Sequence, residues 1–293
     1  MKQQNKLGFV LALIGAFLGI VGTFVLFTQW YDAMMVAEVE AGRPDEELIV
    51  MFIIPFLSDL GIIAGVLWAV AAYGFWSDNR WAWPVAVVAS VLALQGSFFP
   101  MIPAASRDLP PVFGIIFVPN LIIYVILLLY VGKVDKKIFI FSLFAGIAFV
   151  LSFMNGVAST DRILVTFGAD SEQAIVSENA EGEEEEILVS EEYHPLYVAV
   201  QRLNWLASIG WGVFTIWLIL KPREWVRVVG MAAGLLEVVV GIPLGTATMI
   251  EFGHFSMFFP APILSLILVV ILMLPWGRGL FPEIEEREET IAA

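Results

Sequence analysis

Eight long apolar runs constrain this chain more than any other feature of its sequence. Each is close to the roughly 20 residues that an α-helix needs to cross about 30 Å of hydrocarbon. Only 15% of the residues are charged and 59% are hydrophobic, against about 25% charged residues in soluble domains. We therefore predict an all-α integral membrane protein with eight transmembrane helices. The runs lie at 7–29, 49–75, 83–103, 112–131, 138–155, 196–220, 226–249 and 257–275.

The distribution of basic residues predicts the orientation of these helices. Eight crossings place both termini on one side, and lysine and arginine accumulate in short cytoplasmic segments. With a cytoplasmic N-terminus, the outer segments hold only Arg43, Arg107 and Arg162. We therefore expect cytoplasmic termini in a cell membrane, with a prokaryotic plasma membrane as the first candidate. The first apolar run exceeds the core of a signal peptide, about 7 to 15 residues, so we expect it to be retained.

An internal repeat relates the two halves of the chain. Helices 2 to 4 align without gaps on helices 6 to 8 at an offset of 143 residues, and helix 1 aligns on helix 5 at an offset of 127. Helices of similar composition could also align by chance. We predict two tandem parallel four-helix repeats, 1–137 and 138–277, followed by an acidic cytoplasmic tail, 278–293. The landmark pairs are Trp68 with Trp211, Arg80 with Arg223, Pro100 with Pro243, and Pro119 with Pro262.

Opposite charges fall at equivalent positions of this repeat. Asp59 in helix 2 and Arg202 in helix 6 are 143 residues apart. A charged side chain near the bilayer centre costs about 2.5 to 3.5 kcal/mol on insertion scales, so each needs a partner, a wet cavity or a function. The two could form an ion pair that joins the halves, or line a cavity that binds an ion or polar solute. A third possibility is that one of them lies near the outer interface and extends to water.

Glu237 is a charge without a counterpart, because Leu94 occupies the equivalent position of the first half. Burial disfavours the charged form of a carboxyl group, so an isolated one could carry a proton. Alternatively, Glu237 could form a structural hydrogen bond with Gln95, Asn120 or Arg202. Asp59, Arg202, Glu237, Asn120 and Gln95 are therefore the candidate binding residues.

Two further features lie toward the outer side. The paired prolines predict kinks that open an outward vestibule, although Pro100 is equally consistent with a simple helix end. The long acidic loop 156–194 contains two β-branched runs, 162–167 and 186–191, that are typical of a hairpin or a docked flap.

Composition excludes several classes of function. The chain has no cysteine, and its two histidines, His194 and His254, lie in separate loops, so we expect no metal site and no cofactor. A net charge of −14 argues against nucleic-acid binding. No catalytic motif is present, so we expect no enzyme. The leading hypothesis is transport or binding of a small solute or ion between the two repeats. The alternative is a non-catalytic subunit that assembles with other membrane subunits.

Overall fold

Helices make up most of the chain in a computed structural model, which describes residues 3–40, 47–106, 109–166, 173–178, 184–189, 194–253 and 255–281. The helices are α1 Gln3–Phe17, α2 Thr23–Glu40, α3 Glu47–Trp76, α4 Ala82–Phe98, α5 Met101–Ser106, α6 Gly114–Ile126, α7 Lys136–Thr166, α8 His194–Leu220, α9 Glu224–Phe252, α10 Pro260–Met273 and α11 Pro275–Arg278. A π-helical turn, Leu18–Gly22, joins α1 to α2, and a second π-helical turn, Leu127–Val131, extends α6.

Six of the helical segments in the described residues are long and apolar enough to cross a membrane. Their length and apolar composition are those of the spanning helices of a multi-pass membrane protein, as the hydropathy predicts. Two of the eight predicted spans, α4 and α10, are shorter apolar helices. The six long segments are Gln3–Ala37, Ser58–Trp76, Gly114–Val131, Lys136–Asp161, Pro195–Leu220 and Glu224–Ile250.

The two halves pack their helices in the same order. In the first half α1 packs on α3, α3 on α4 and α4 on α6; in the second half α7 packs on α8, α8 on α9 and α9 on α10. Each half has a fully buried tryptophan in its core. Trp68 lies among small residues such as Ala71 and Ala86, while Trp211 lies edge-on to the ring of Phe214.

The first half contains a close backbone contact between its first two long helices. A Cβ atom added at Gly19, in the π-helical turn, would lie 2.5 Å from the Cα atom of Gly65 in α3. One added at Gly61 would lie 2.8 Å from the Thr23 hydroxyl. Only glycine permits this approach, because any side chain would separate the two helices.

The two halves meet along α4, α7 and α8. Toward one end of the interface, Phe153 of α7 packs edge-on against Phe99 and Trp205. Toward the other end, Tyr124 and Val91 pack with Ile219 of α8. Between these two apolar clusters lies the cavity described below.

The hairpin exists, but its first strand lies later than the sequence predicts. Strand β1, Gln173–Glu178, pairs antiparallel with β2, Glu184–Val189, and Ile175 is opposite Ile187. The predicted first strand, 162–167, was wrong, since residues up to Thr166 continue α7. A β-branched run that directly follows a long helix can continue as helix. The low helix propensity of its residues is a weak effect, which the tertiary context of the helix overrides.

The repeated prolines do not form a uniform set of kinks. Pro119 and Pro243 lie inside α6 and α9, whereas Pro100 falls between α4 and α5. Pro262 lies in the first turn of α10, where a missing N–H removes no helical hydrogen bond. The expectation of four equivalent kinks is therefore wrong for Pro100 and Pro262.

Candidate functional site

Glu237 lies at the midpoint of the apolar segment Glu224–Ile250 of α9, and its side chain is 0% exposed. The helix passes between α8 and α10, so the carboxyl group points into the second half of the molecule. Gly241 lies one turn farther along, and a Cβ atom there would be 3.1 Å from the Glu237 Oε1 atom. Because Gly241 has no side chain, the carboxyl group of Glu237 has room at this position.

The polar partner of Glu237 is Asn155 of α7. The Asn155 side-chain amide donates to Glu237 Oε1 at 2.8 Å and to the backbone carbonyl of Phe258 at 3.1 Å. Both asparagine and glutamate are 0% exposed. The hydroxyl of Ser152, one turn earlier on α7, also faces the carboxyl group but does not form a hydrogen bond of normal geometry with it.

Three oxygen atoms of this cluster have no hydrogen-bond partner. They are Glu237 Oε2, Asn155 Oδ1 and Ser152 Oγ. A buried polar atom without a partner is uncommon and costs about 1 to 3 kcal/mol. The cluster therefore presents several oxygens, and one formal negative charge when Glu237 is ionised, to a small internal volume.

Irregular backbone completes the site on one side. Helix α10 has 14 residues, which span only about 21 Å, so the chain before it enters the depth of the membrane. Ser256 and Phe258 are buried there, and Ser256 forms a hydrogen bond with Thr248 of α9. Non-helical backbone at membrane depth is tolerated where it is buried in protein or lines a cavity. Here it directs the carbonyl of Phe258 toward Asn155.

The predicted partners of Glu237 were wrong. Its hydrogen bond goes to Asn155 and not to Gln95, Asn120 or Arg202. Asn155 was missed because the apolar run ends at that residue, which suggested a helix terminus. The helix continues to Thr166, so Asn155 lies inside it. The overlooked signal was a pair of polar residues, Ser152 and Asn155, at helical spacing on one face.

Asp59 and Arg202 are not brought together. Both side chains are exposed, and among the described residues no ion pair joins them. Asp59 is the thirteenth residue of the 30-residue α3, and Arg202 is the ninth residue of the 27-residue α8. Both therefore lie inside their helices, with their side chains on the exposed surface of the bundle. The structure provides neither the proposed ion pair nor a site that combines these charges with Glu237.

Gln95 and Asn120 lie elsewhere in the molecule. Both are buried, and Gln95 lines a cavity of about 160 Å³ between the two halves. Neither amide nitrogen nor oxygen of Gln95 has a partner, and the same is true of the Asn120 side-chain oxygen. The five predicted residues therefore occupy at least three places rather than one site.

Within the described part of the chain, no group of three or more histidine, aspartate or glutamate side chains could hold a metal ion. His254 lies outside the described residues, and so does the side chain of His194. Comparison with protein-family models, with curated proteins and with solved structures finds no match to this chain.

Proposed function

We propose that the protein binds a small monovalent cation, a proton or Na⁺, at Glu237 and transports it across the membrane. The observation that carries this proposal is the fully buried carboxyl group at mid-membrane with one oxygen unpartnered. Intramembrane carboxylates are costly and are typical of proton and ion pathways. Among the described residues, no basic side chain neutralises Glu237. A bound cation or proton would do so.

The surrounding groups suit both cations. Glu237 supplies a carboxylate, Ser152 a hydroxyl and Phe258 a backbone carbonyl that faces Asn155. Rotation of the Asn155 side-chain amide would point its oxygen, instead of its NH₂ group, toward a bound cation. Transporters coordinate Na⁺ or H⁺ with carboxylates and with the carbonyls of interrupted helices near mid-membrane. One carboxylate balances one positive charge, which favours a monovalent ion over a divalent one.

The proposed architecture is eight crossings in two tandem repeats, 1–137 and 138–277, with cytoplasmic termini. The basic residues concentrated on one side support the orientation. The common packing order and the paired tryptophans, Trp68 and Trp211, support the repeat. In this proposal the cation site belongs to the second half rather than to the interface between the halves.

The test is cation flux through the purified full-length protein reconstituted in liposomes. A pH-sensitive dye would report proton movement, and ²²Na⁺ uptake would report sodium movement. Glu237→Gln keeps the acceptor oxygen for Asn155 but removes the ionisable group, so we expect folded protein without flux. Asp59→Asn is the matched control, because it removes an exposed carboxylate and should transport as the wild type does.

Two results would overturn the proposal. The first is a wild-type protein with neither flux above empty liposomes nor thermal stabilisation by Na⁺ or by a change of pH. The second is full flux through Glu237→Gln. Flux of one cation without the other would identify which of the two the site carries.

A second candidate function is a non-catalytic subunit of a larger membrane complex. The observation that favours it is the hairpin β1–β2 in the connection between α7 and α8, which would face outward in the proposed orientation. A two-stranded hairpin alone is only marginally stable in water, so a partner could stabilise it. Stoichiometric co-purification of another membrane protein in mild detergent, lost when residues 173–189 are deleted, would favour this function.

A further inference from the structure

The connection between α8 and α9 lies where the chain leaves one spanning segment and enters the next. The segment Pro195–Leu220 ends and the segment Glu224–Ile250 begins on either side of residues 221–223. Helix α11 lies beside this connection, because Val226 of α9 and Phe281, just after α11, are buried in one apolar cluster. Two stretches of chain therefore meet at this end of the second half.

Hydrogen bonds from two arginine side chains join these stretches. Arg227 and Arg278 each donate to a backbone carbonyl near the end of α10, at 3.3 and 3.1 Å. Arg227 Nε also donates to both carboxylate oxygens of Glu224, at 2.8 and 2.9 Å, and Glu224 is within electrostatic range of Arg278 as well. Glu224 is the single acidic residue in the described stretches 221–227 and 272–281. Its charge is therefore neutralised by Arg227.

Three basic residues at this end have no such neutralising partner. Lys221, Arg223 and Arg278, here called the basic cluster, are all exposed, and within the described part of the chain none of them forms an ion pair. The proposed repeat aligns Lys221 with Asp78 and Arg223 with Arg80. The corresponding turn of the first half thus carries opposite charges, whereas the turn in the second half carries two positive ones.

Exposed tryptophan side chains lie next to the basic cluster in the sequence. Trp225 is 43% exposed and packs its ring against that of Trp217 at 5.5 Å, and Trp276 is 47% exposed. Tryptophan rings at the ends of spanning helices lie at the level of the lipid headgroups. Positive charge and exposed apolar surface therefore occur together, which suits a ligand with an anionic head and an apolar body.

We propose that the basic cluster binds the headgroup of an anionic phospholipid, with Trp225 and Trp276 against its glycerol and upper acyl chains. Guanidinium groups match the geometry of phosphate oxygens and form paired hydrogen bonds with them. Basic sites between transmembrane helices bind anionic headgroups, whereas a zwitterionic headgroup brings no net charge to three cations. The acidic segment 282–293 brings carboxylates but no hydrocarbon chain for the tryptophans. The lipid site is independent of the cation site at Glu237.

The test is native mass spectrometry of the purified full-length protein, titrated with phosphatidylglycerol or with phosphatidylcholine of identical acyl chains. We expect about tenfold more phosphatidylglycerol adduct at equal lipid concentration, since each basic residue near the headgroups favours an anionic lipid. The cluster variant, Lys221→Gln with Arg223→Gln and Arg278→Gln, should lose this preference. The matched control removes three exposed basic side chains from the first half and should keep it. Its changes are Lys6→Gln, Arg80→Gln and Lys133→Gln.

Thermal unfolding in detergent provides a second measurement and shows whether the variants fold. Phosphatidylglycerol should raise the unfolding temperature of the wild type and of the first-half control, but not that of the cluster variant. Inorganic phosphate should give no such rise, because it has no acyl chains. If the cluster variant does not fold, Arg223→Gln alone replaces it, since that side chain forms no hydrogen bond within the described residues. Arg223→Gln should lower the lipid preference about fivefold.

Several results would overturn the lipid site. Equal adducts of the two lipids on the wild type would do so, as would an unchanged preference in the cluster variant or in Arg223→Gln. An equal loss in the first-half control would mean that only the total charge matters. Stabilisation by inorganic phosphate equal to that by phosphatidylglycerol would indicate an anion site without a lipid. Phosphatidylglycerol adducts that appear only after deletion of residues 282–293 would make the acidic segment the occupant of the basic cluster.

Discussion

The helix pairs that the proposed repeat aligns make different contacts in the two halves of the chain. In the first half, the π-helical turn after α1 meets α3 backbone to backbone, at Gly19 and Gly65. The proposed repeat aligns Gly19 with Gly146 and Gly65 with Ser208 of the second half. There Gly146 borders open space, and Ser208 donates to the backbone carbonyl of Phe149. At these aligned positions one helix pair has a backbone contact and the other has a side-chain-to-backbone hydrogen bond.

Two further positions that the proposed repeat aligns differ in polarity. Glu237 is buried, and the proposed repeat aligns it with Leu94. The Trp211 ring nitrogen donates to Ser265 at 3.1 Å, while the Trp68 ring nitrogen is buried without a partner. At these aligned positions the second half has polar interactions where the first half has an apolar side chain or a ring nitrogen without a partner.

The largest effect should come from the glycine contact. Gly19→Leu would force α1 and α3 apart, and we expect a loss of about 3 kcal/mol or more, since backbone atoms cannot move aside as a side chain can. Gly146→Leu, at the aligned position, faces open space and should change stability by less than about 1 kcal/mol. Thermal unfolding of the two variants in the same detergent measures the difference. Equal losses would contradict the claimed asymmetry between the halves.

A smaller effect is expected where the second half is polar. Asn155→Ala removes the partner of Glu237 and should cost about 1 to 3 kcal/mol, because the carboxyl group stays buried with no hydrogen bond. Glu237→Leu introduces the residue found at Leu94 of the first half. It should lower stability less than Asn155→Ala does, because it removes the buried carboxyl group instead of leaving it without a partner. The double variant should be less destabilised than the sum of the two single variants. Additive losses would mean that the two side chains do not interact.

The tryptophan pair isolates a single hydrogen bond. Trp211→Phe and Trp68→Phe remove similar volumes from the two buried cores, but only the first breaks a bond, that to Ser265. Trp211→Phe should therefore cost about 1 kcal/mol more than Trp68→Phe. Thermal unfolding measures both, and Ser265→Ala is the control, because it should remove most of the difference.

Helix positions were predictable from sequence because hydropathy reports burial in lipid directly. The eight apolar runs correspond to six long and two shorter helices, and Leu94 at the aligned position indicated that the proposed repeat supplies no second charge for Glu237. Its true partner was not predictable in the same way. Hydropathy falls after Asn155, so the helix end was assigned there, whereas polar residues 159–161 continue the helix.

Side-chain direction was the second quantity that the sequence did not determine. The alignment placed Asp59 and Arg202 at equivalent positions but did not determine which way their side chains point. Successive helical residues are rotated by about 100°, so neighbouring positions can be buried and exposed. Both face outward. Gln95 is buried beside a cavity between the two halves, and that position depends on how the halves meet, which the pattern of a single helix does not encode.

The smallest effect should come from that outward-facing pair. Asp59→Asn and Arg202→Gln should each lower stability by less than about 0.5 kcal/mol, because no ion pair joins the two charges and neither side chain is buried. The charge exchange Asp59→Arg with Arg202→Asp therefore has no lost interaction to restore, and its effect should equal the sum of the single changes. Thermal unfolding of the four proteins measures this. If the exchange recovered stability that either single variant loses, the two charges would join the halves, and charge would have a structural role outside the Glu237 cluster.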